Sequence, residues 1–174
     1  EQAIEHLAFH DALTGLPNRR MLGDRLETAL AASQRNSTHG ALLFLDLDKF
    51  KELNDTHGHD VGDLMLQEVA QRLLQCIRAV DTVARLGGDE FVVLIQNLSV
   101  DPDDAKLHAT TVGHKILSSL NEPYLLQAVR HSSTPSIGAT LFLGHAVAGA
   151  ELLKQADMAM YEAKRSGGNK VKGA

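Results

Sequence analysis

The sequence predicts an α+β domain with a ferredoxin-like or palm βαββαβ core, in which helices flank a mainly antiparallel sheet of about five strands. Three observations predict it. The apolar run ALLFLDLD, from Ala41, reads as a short strand that ends in acid. A helical stripe at Val61, Met65, Val69, Leu73 and Ile77 leads into two β-rich runs joined through Gly87 and Gly88. Two further strand-like runs then stand between a capped helix and a closing amphipathic helix.

Taken in order, residues 1–10, EQAIEHLAFH, read as the end of an N-terminal linker helix, and residues 11–174 as a single domain. The chain starts without Met and without a charged leader, so it is expected to be a piece of a longer protein. Residues 19–35 place Met21, Leu22, Leu26, Ala29 and Leu30 at helical spacing ahead of the first strand. The second helix is expected over 61–80, and a hairpin pairs 82–86 with 90–96, its turn needing glycine at positive φ. Asp101, Pro102, Asp103 and Asp104 form a helix start with cap, N1 proline and acids suited to the macrodipole, and this helix should run to about Leu120. Strands are expected over 124–129 and 136–143, and the last helix over 150–165, ended by Gly167 and Gly168.

Composition narrows the function. At 174 residues, 44% hydrophobic and 22% charged, the chain is one globular domain and not a disordered one. A net charge of -5 lacks the basic footprint of a nucleic-acid binder. The apolar run at residues 41–45 is far short of the roughly 20 residues of a membrane span, so no membrane contact is expected of this piece. Cys76 is the only cysteine and sits in an apolar pattern, which suggests a buried thiol in a reducing compartment.

The chemistry is expected where the first strand, ending in Asp46-Leu47-Asp48, meets the turn Gly87-Gly88-Asp89-Glu90 on a neighbouring strand. Four carboxylates could converge there. Bare, they repel; one or two Mg²⁺ ions would neutralise them and hold a nucleoside triphosphate, which suits metal-assisted phosphoryl transfer. The glycine pair lets backbone approach phosphates or a base closely. Neither a Walker loop nor a GxGxxG motif occurs.

RLGGDEF at residues 85–91 resembles the signature of the GGDEF family of diguanylate cyclases, and the resemblance extends over nearly the whole chain. It includes DALTGLPNRR (11–20), FLDLDKFKELNDTHGHDVGD (44–63), the SIG of 136–138 and ADMAMYEAKRSGGN (156–169), in matching order and spacing. The resemblance implies condensation of two GTP into cyclic di-GMP with Mg²⁺, or with Mn²⁺ in its place. It implies Asp46, the Leu47 carbonyl and Asp89 as metal ligands. Lys51 and Lys164 would hold phosphates, with Phe50, Gly87 and Gly88 lining the nucleotide site. Asn54 and Asp63 match the pair that reads the guanine edge, an amide with a carboxylate answering one acceptor and two donors. Glu90 falls near the attacking 3′-hydroxyl, as base or metal ligand, with Asp89 and Lys51 beside it in the catalytic set. Each site holds one GTP, so a homodimer is implied. Arg78 and Asp81 form an RxxD element at the spacing of an inhibitory site for the product.

Plainer readings stand beside these. Asp48 reads as an acid standing behind the metal ligands or simply as the end of a strand. Arg78 and Asp81 could equally be an i, i+3 ion pair. His57 and His59, i and i+2 in a loop with no third ligand, suit structural or solvent roles better than zinc. DALTGLPNRR reads as a structural turn shaped by Gly15 and Pro17. One position departs from the family, which often carries Lys-x-x-Gly-Arg-Asn at the end of the last helix where this chain has Gly168. The loss of that cation predicts weaker GTP binding unless Arg165 or Lys170 substitutes. Two functions therefore remain: an active cyclase in the cytoplasm, its parent protein free to be membrane-anchored, and a catalytically silent module that binds GTP or cyclic di-GMP and regulates a fused domain such as an EAL phosphodiesterase.

Overall fold

The structure, a computed structural model, describes residues 6 and 8–173, so most of the expected linker helix of residues 1–10 lies outside the described residues. From there the elements run α1 (Arg19–Asn36), β1 (Gly40–Leu47), α2 (Phe50–His57), α3 (His59–Gln75), β2 (Thr82–Gly87), β3 (Glu90–Ile95) and α4 (Pro102–Asn121). They continue with β4 (Tyr124–Leu126), β5 (Val129–His131), β6 (Pro135–Phe142), α5 (Gly149–Arg165) and β7 (Lys170–Gly173). The main sheet has five strands in the order β2-β3-β1-β6-β7, antiparallel except for the parallel pair β6–β7. This is the expected α+β palm, with β1 at its centre.

Strand β1 is apolar along nearly its whole length because both of its faces are covered. Leu43, Leu45 and Leu47 enter one core with Met65, Val69 and Leu73 of α3, while Leu42 and Phe44 enter the other with Leu22 and Leu26 of α1 and Leu152 and Met160 of α5. The helix starts follow the local chemistry. Asn18 caps α1 by accepting from the Met21 amide at 3.1 Å, and Asp101 caps α4 by accepting from the Asp104 amide at 2.9 Å. Cys76 is a buried free thiol, and burial pushes its pKa up. Among the described residues no helix is long and apolar enough to cross a membrane.

Four expectations are corrected. The helix expected over 61–80 begins at His59 and stops at Gln75. There Asp81 closes the chain into a turn, its carboxylate accepting from the Arg78 backbone amide at 3.1 Å and from the Arg78 guanidinium. Residues 50–57, left unassigned by the sequence pattern, form α2, which Gly58, at φ 89°, separates from α3. The strand expected over 124–129 is instead a small separate hairpin, β4–β5, turned at Gln127 with φ 57°. The fifth strand of the sheet is β7, delivered beside β6 by three successive positive-φ residues, Gly167, Gly168 and Asn169.

Gly138 sets how closely α5 lies on the sheet. A Cβ there would overlap the Ala156 carbonyl oxygen and the Met160 amide, both backbone atoms of α5. Gly138→Ala must therefore push the helix off the sheet. Overpacking of this kind costs roughly 1–3 kcal/mol or more, so urea unfolding of Gly138→Ala should show at least that loss. A midpoint equal to the parent's would mean that α5 is not seated by this contact.

Candidate active site

The site is built where β1 and β3 run out together. Asp46 and Glu90 are direct cross-strand partners in the register of that pair. They lie on the face that carries Leu42 and Phe44, and so beneath α5, because alternate residues of a strand share a face. From α5, Lys164 donates to Asp46 Oδ2 at 2.9 Å. The other oxygen, Asp46 Oδ1, is buried and has no hydrogen-bond partner.

Asp89 stands in the turn between β2 and β3, after Gly87 at φ 144° and Gly88 at φ 49°. A Cβ on either glycine would meet nothing within 4 Å, so here glycine serves conformation and an open approach rather than packing. Burial and the neighbouring Asp46 carboxylate together push the Asp89 carboxyl up to about 7. Glu90 is raised by burial, then by the charges of Asp157 and Asp46. Burial works against the charge of Lys164, but Asp46, Asp89 and Asp48 outweigh it and raise its pKa.

The turn is braced from a distance. Arg85 donates through Nε and Nη2 to the Gly88 carbonyl at 3.0 and 2.8 Å and through Nη1 to Asp11 at 2.8 Å. Asp11 also accepts from the Thr14 amide at 2.9 Å and from its hydroxyl at 2.8 Å, and these bonds with Arg85 outweigh burial and lower its pKa. The Arg85 amide donates to the Pro17 carbonyl at 3.0 Å. The DALTGLPNRR segment is thus a structural turn that also fixes the glycine turn of the site.

Four carboxylates do not converge. Asp48 lies past the end of β1 and turns away, accepting from Thr134 Oγ1 and Ser136 Oγ at 2.6 Å each and from the Asn169 amide at 3.1 Å. Its amide donates to the Thr134 carbonyl, so the backbone groups of Asp48 face β6 and, by strand alternation, those of Leu47 face the turn carrying Asp89. Gly168 is buried against Asp48: a Cβ there would stand 2.5 Å from Asp48 Oδ2, and φ is 72°. The position of the missing arginine is closed by packing and by backbone conformation. Of the two expected substitutes, Arg165 lies over the Tyr161 ring at 5.9 Å and Lys170 Nζ donates to the Ser166 carbonyl at 2.6 Å.

Beyond the β1–α2 turn lies a second group. Asn54 Oδ1, on α2, is buried without a partner, and a Cβ on Gly62 of α3 would fall onto it and crowd Phe50. Gly62 therefore leaves room for an amide with an unmet bond, and Asp63 follows it, exposed, on the same helix. Lys51 is exposed on α2. Arg78 and Asp81 hold each other at 3.0 Å, and the Asp81 side chain, only 3% exposed, accepts additionally from the Gln96 amide at 3.2 Å. Both Asp81 oxygens are engaged inside the chain, while Arg78 is half exposed.

Among the described residues no three His, Cys, Asp or Glu side chains form a cage for a metal ion. Mg²⁺ needs less, since it keeps several waters and is held by one or two carboxylates together with substrate phosphates. Asp46 and Asp89 are two carboxylates placed side by side, and Asp46 Oδ1 has no partner within the chain. A cleft of about 520 Å³ lies elsewhere, between α2 and residues 131–134, and none of Asp46, Asp89, Glu90 or Asn54 lines it. In that cleft burial and the charge of His57 lower the pKa of His131.

Together these features define an α+β palm domain with an acidic, lysine-countered site at the open end of its central strands. The chain belongs to the GGDEF family: residues 8–170 match the family model described as diguanylate cyclase, GGDEF domain. It is 46% identical over 163 residues to the bifunctional diguanylate cyclase/cyclic di-GMP phosphodiesterase MucR of Pseudomonas aeruginosa, covering 94% of this chain and 23% of MucR. Diguanylate cyclase TpbB of the same organism is 43% identical over 164 residues, covering 94% of this chain and 37% of TpbB. The chain thus spans well under half of these relatives. The solved GGDEF domain of TpbB superposes with a TM-score of 0.87 at 40% identity, over 94% of this chain and 92% of that one. The coiled coil and GGDEF domain of DgcB from Caulobacter crescentus, solved with c-di-GMP, gives 0.87 at 28% identity, over 99% and 89%.

The Asp89 shift has a measurable consequence. In the fold Asp89 keeps its proton to about pH 7, whereas in the unfolded chain it ionises near 3.8. Between those values the folded state binds the extra proton, so the metal-free protein loses stability as pH rises through this window. Asp89→Asn should flatten that slope and, discounting for partial exposure, gain about 1 kcal/mol at pH 8. Mg²⁺ should raise the melting temperature of the parent and leave that of Asp89→Asn unchanged. Parallel pH profiles for the two proteins would contradict the coupling of Asp89 to Asp46.

Proposed function

We propose that the domain is a diguanylate cyclase that joins two GTP into cyclic di-GMP and releases two pyrophosphates. The observation that carries this reading is the Asp46–Asp89 pair, one carboxylate countered by Lys164 with its second oxygen orphaned, set directly beside Glu90. Mg²⁺, or Mn²⁺ in its place, held by Asp46, the Leu47 carbonyl and Asp89, would neutralise charge on the triphosphate and at the α-phosphorus.

The chain's own residues do the rest. Asn54 and Asp63 take the guanine edge, and the unmet bond of Asn54 is satisfied when guanine arrives. Phe50 borders the base, Gly87 and Gly88 let the turn approach the nucleotide, and Lys51 and Lys164 hold phosphate oxygens. Glu90, with its pKa raised, accepts the proton of the 3′-hydroxyl as that oxygen bonds to the α-phosphorus of the facing GTP. The bond from that phosphorus to the pyrophosphate oxygen breaks, and the same step at the second site closes the ring. A homodimer is required, because each site offers one nucleotide. The setting is the cytoplasm, where GTP is found. Product inhibition, on this reading, falls to Arg78 and Asp81, whose carboxylate also anchors the Arg78 guanidinium.

A second reading rests on Gly168. With the arginine position closed against Asp48, the phosphate site is short of a cation, and the domain would bind GTP or cyclic di-GMP and regulate a fused domain without turnover.

Incubation of concentrated protein with GTP and Mg²⁺, followed by chromatography of the nucleotides, separates the two. The parent should form cyclic di-GMP, with Glu90→Gln and Asp89→Ala slower by a factor on the order of 100 or more. Nucleotide binding without product, in protein held as a dimer, would establish the regulatory reading instead.

A further inference from the structure

The cleft between α2 and residues 131–134, about 520 Å³, is lined by none of the residues proposed for nucleotide, metal or product. Its size suits a small molecule. It runs along the side of α2, from Lys49 at the helix cap to His57 in the last turn, over a buried floor at Leu53. His131, the last residue of β5, stands half-buried on the facing wall beside Ser132. The charges decide what such a cleft takes. Both Asp48 oxygens are already committed, to Thr134 Oγ1, Ser136 Oγ and the Asn169 amide, which leaves Glu52 as the one free carboxylate among the described residues that line it. Lys49, His57 and His131 form no ion pair among the described residues. Asn169 Oδ1 accepts from Asn121 Nδ2 at 2.8 Å, so what that side chain has left is mainly its amide donors. A further ammonium, Lys170 Nζ, lies 3.9 Å from where a Cβ on Gly167 would stand.

The cleft is thus rich in donors and poor in free acceptors. A metal ion does not suit it, since no three His, Cys, Asp or Glu side chains among the described residues group to hold one, and Lys49 would repel it. We propose that this cleft binds a small phosphorylated molecule, its phosphoryl oxygens taken by His57 and His131 and its body lying along α2 toward Lys49. A tetrahedral oxyanion answers donors that face it from two walls, and charge on either side strengthens each bond. The proposal does not rest on the cyclase reading. Burial, then the charge of His57, lowers the pKa of His131. An anion between the two rings offsets their mutual repulsion, so binding draws protons onto the imidazoles and strengthens as pH falls. The other charged groups around them are Lys49 and Glu52 on α2, Asp48 at the end of β1, and Lys170 beside the turn from α5 to β7.

Sulfate tests the anion site on the full chain, because it keeps its charge while imidazoles titrate. Imidazole NMR signals, assigned through His57→Gln and His131→Gln, should show sulfate at pH 6 shifting His57 and His131 and leaving His108, exposed on α4, in place. The dissociation constant should rise about fivefold or more from pH 6 to pH 8 as the rings lose their protons. Lys164→Gln, which removes a cation from the acidic site, should leave that constant unchanged. No shift at pH 6, equal shifts at all three histidines, an affinity indifferent to pH, or loss of the shifts in Lys164→Gln overturns the proposal. Ribose 5-phosphate and inorganic phosphate then separate a phosphorylated molecule from the free ion. The sugar phosphate should bind several-fold tighter, and Lys49→Gln should remove that advantage. Binding no tighter than that of inorganic phosphate overturns the assignment to a phosphorylated molecule.

Discussion

Two carboxyl groups are brought together at the end of the most buried strand in the molecule, and much of the structure follows from holding them there. Strand β1 is paired on both edges and covered on both faces, so Asp46 cannot move away from Asp89, nor can water fully screen the two. Lys164 offsets part of the conflict, with its nitrogen 2.9 Å from Asp46. The remainder appears as the proton that Asp89 keeps to about pH 7 and as an Asp46 oxygen without a partner. In the proposed function these unmet groups form the place of a cation that arrives with its substrate. Lys164 can answer Asp46 only if α5 lies close on the sheet, and Gly138 permits that approach by presenting no side chain to the helix backbone.

The turn that carries Asp89 would be loose without support, because glycines at φ 144° and 49° restrict nothing themselves. Arg85 supplies the support by holding the Gly88 carbonyl, and Asp11 holds Arg85. The turn carrying Asp89 is thereby joined to the Asp11–Thr14 turn. Asp11 and Gly88 are thus linked through one guanidinium group.

The parts of this account legible in the sequence are those with a local cause. The apolar run of β1, the glycine turn and the cap at Asp101 each announce themselves within a few residues, and Asp46, Asp89, Glu90 and Asn54 stand out once the motifs are read in order. Other parts depend on distant partners. Nothing near Asp48 shows that Thr134, Ser136 and the Asn169 amide will take its carboxylate, so it reads as a fourth member of a cluster it does not join. Strand β7 is four residues with little apolar character, defined by its parallel pairing to β6. Helix α2 is too short and polar to show a period, and the Tyr124–Val129 run hides a turn because Gln127, not glycine, takes the positive φ. Gly62 and Gly168 look alike in sequence, yet one makes room for Asn54 and the other closes against Asp48.

The central claim is that Asp46 and Asp89 form a cation site whose charge conflict the bound ion relieves. The direct measurement is calorimetric titration of the protein with Mg²⁺ at pH 7, in two buffers of different ionisation enthalpy, to count the protons released. Because Asp89 is about half protonated there, the account predicts release of roughly half a proton per ion bound, and none from Asp89→Asn. Binding without proton release, or equal release from the two proteins, would contradict it.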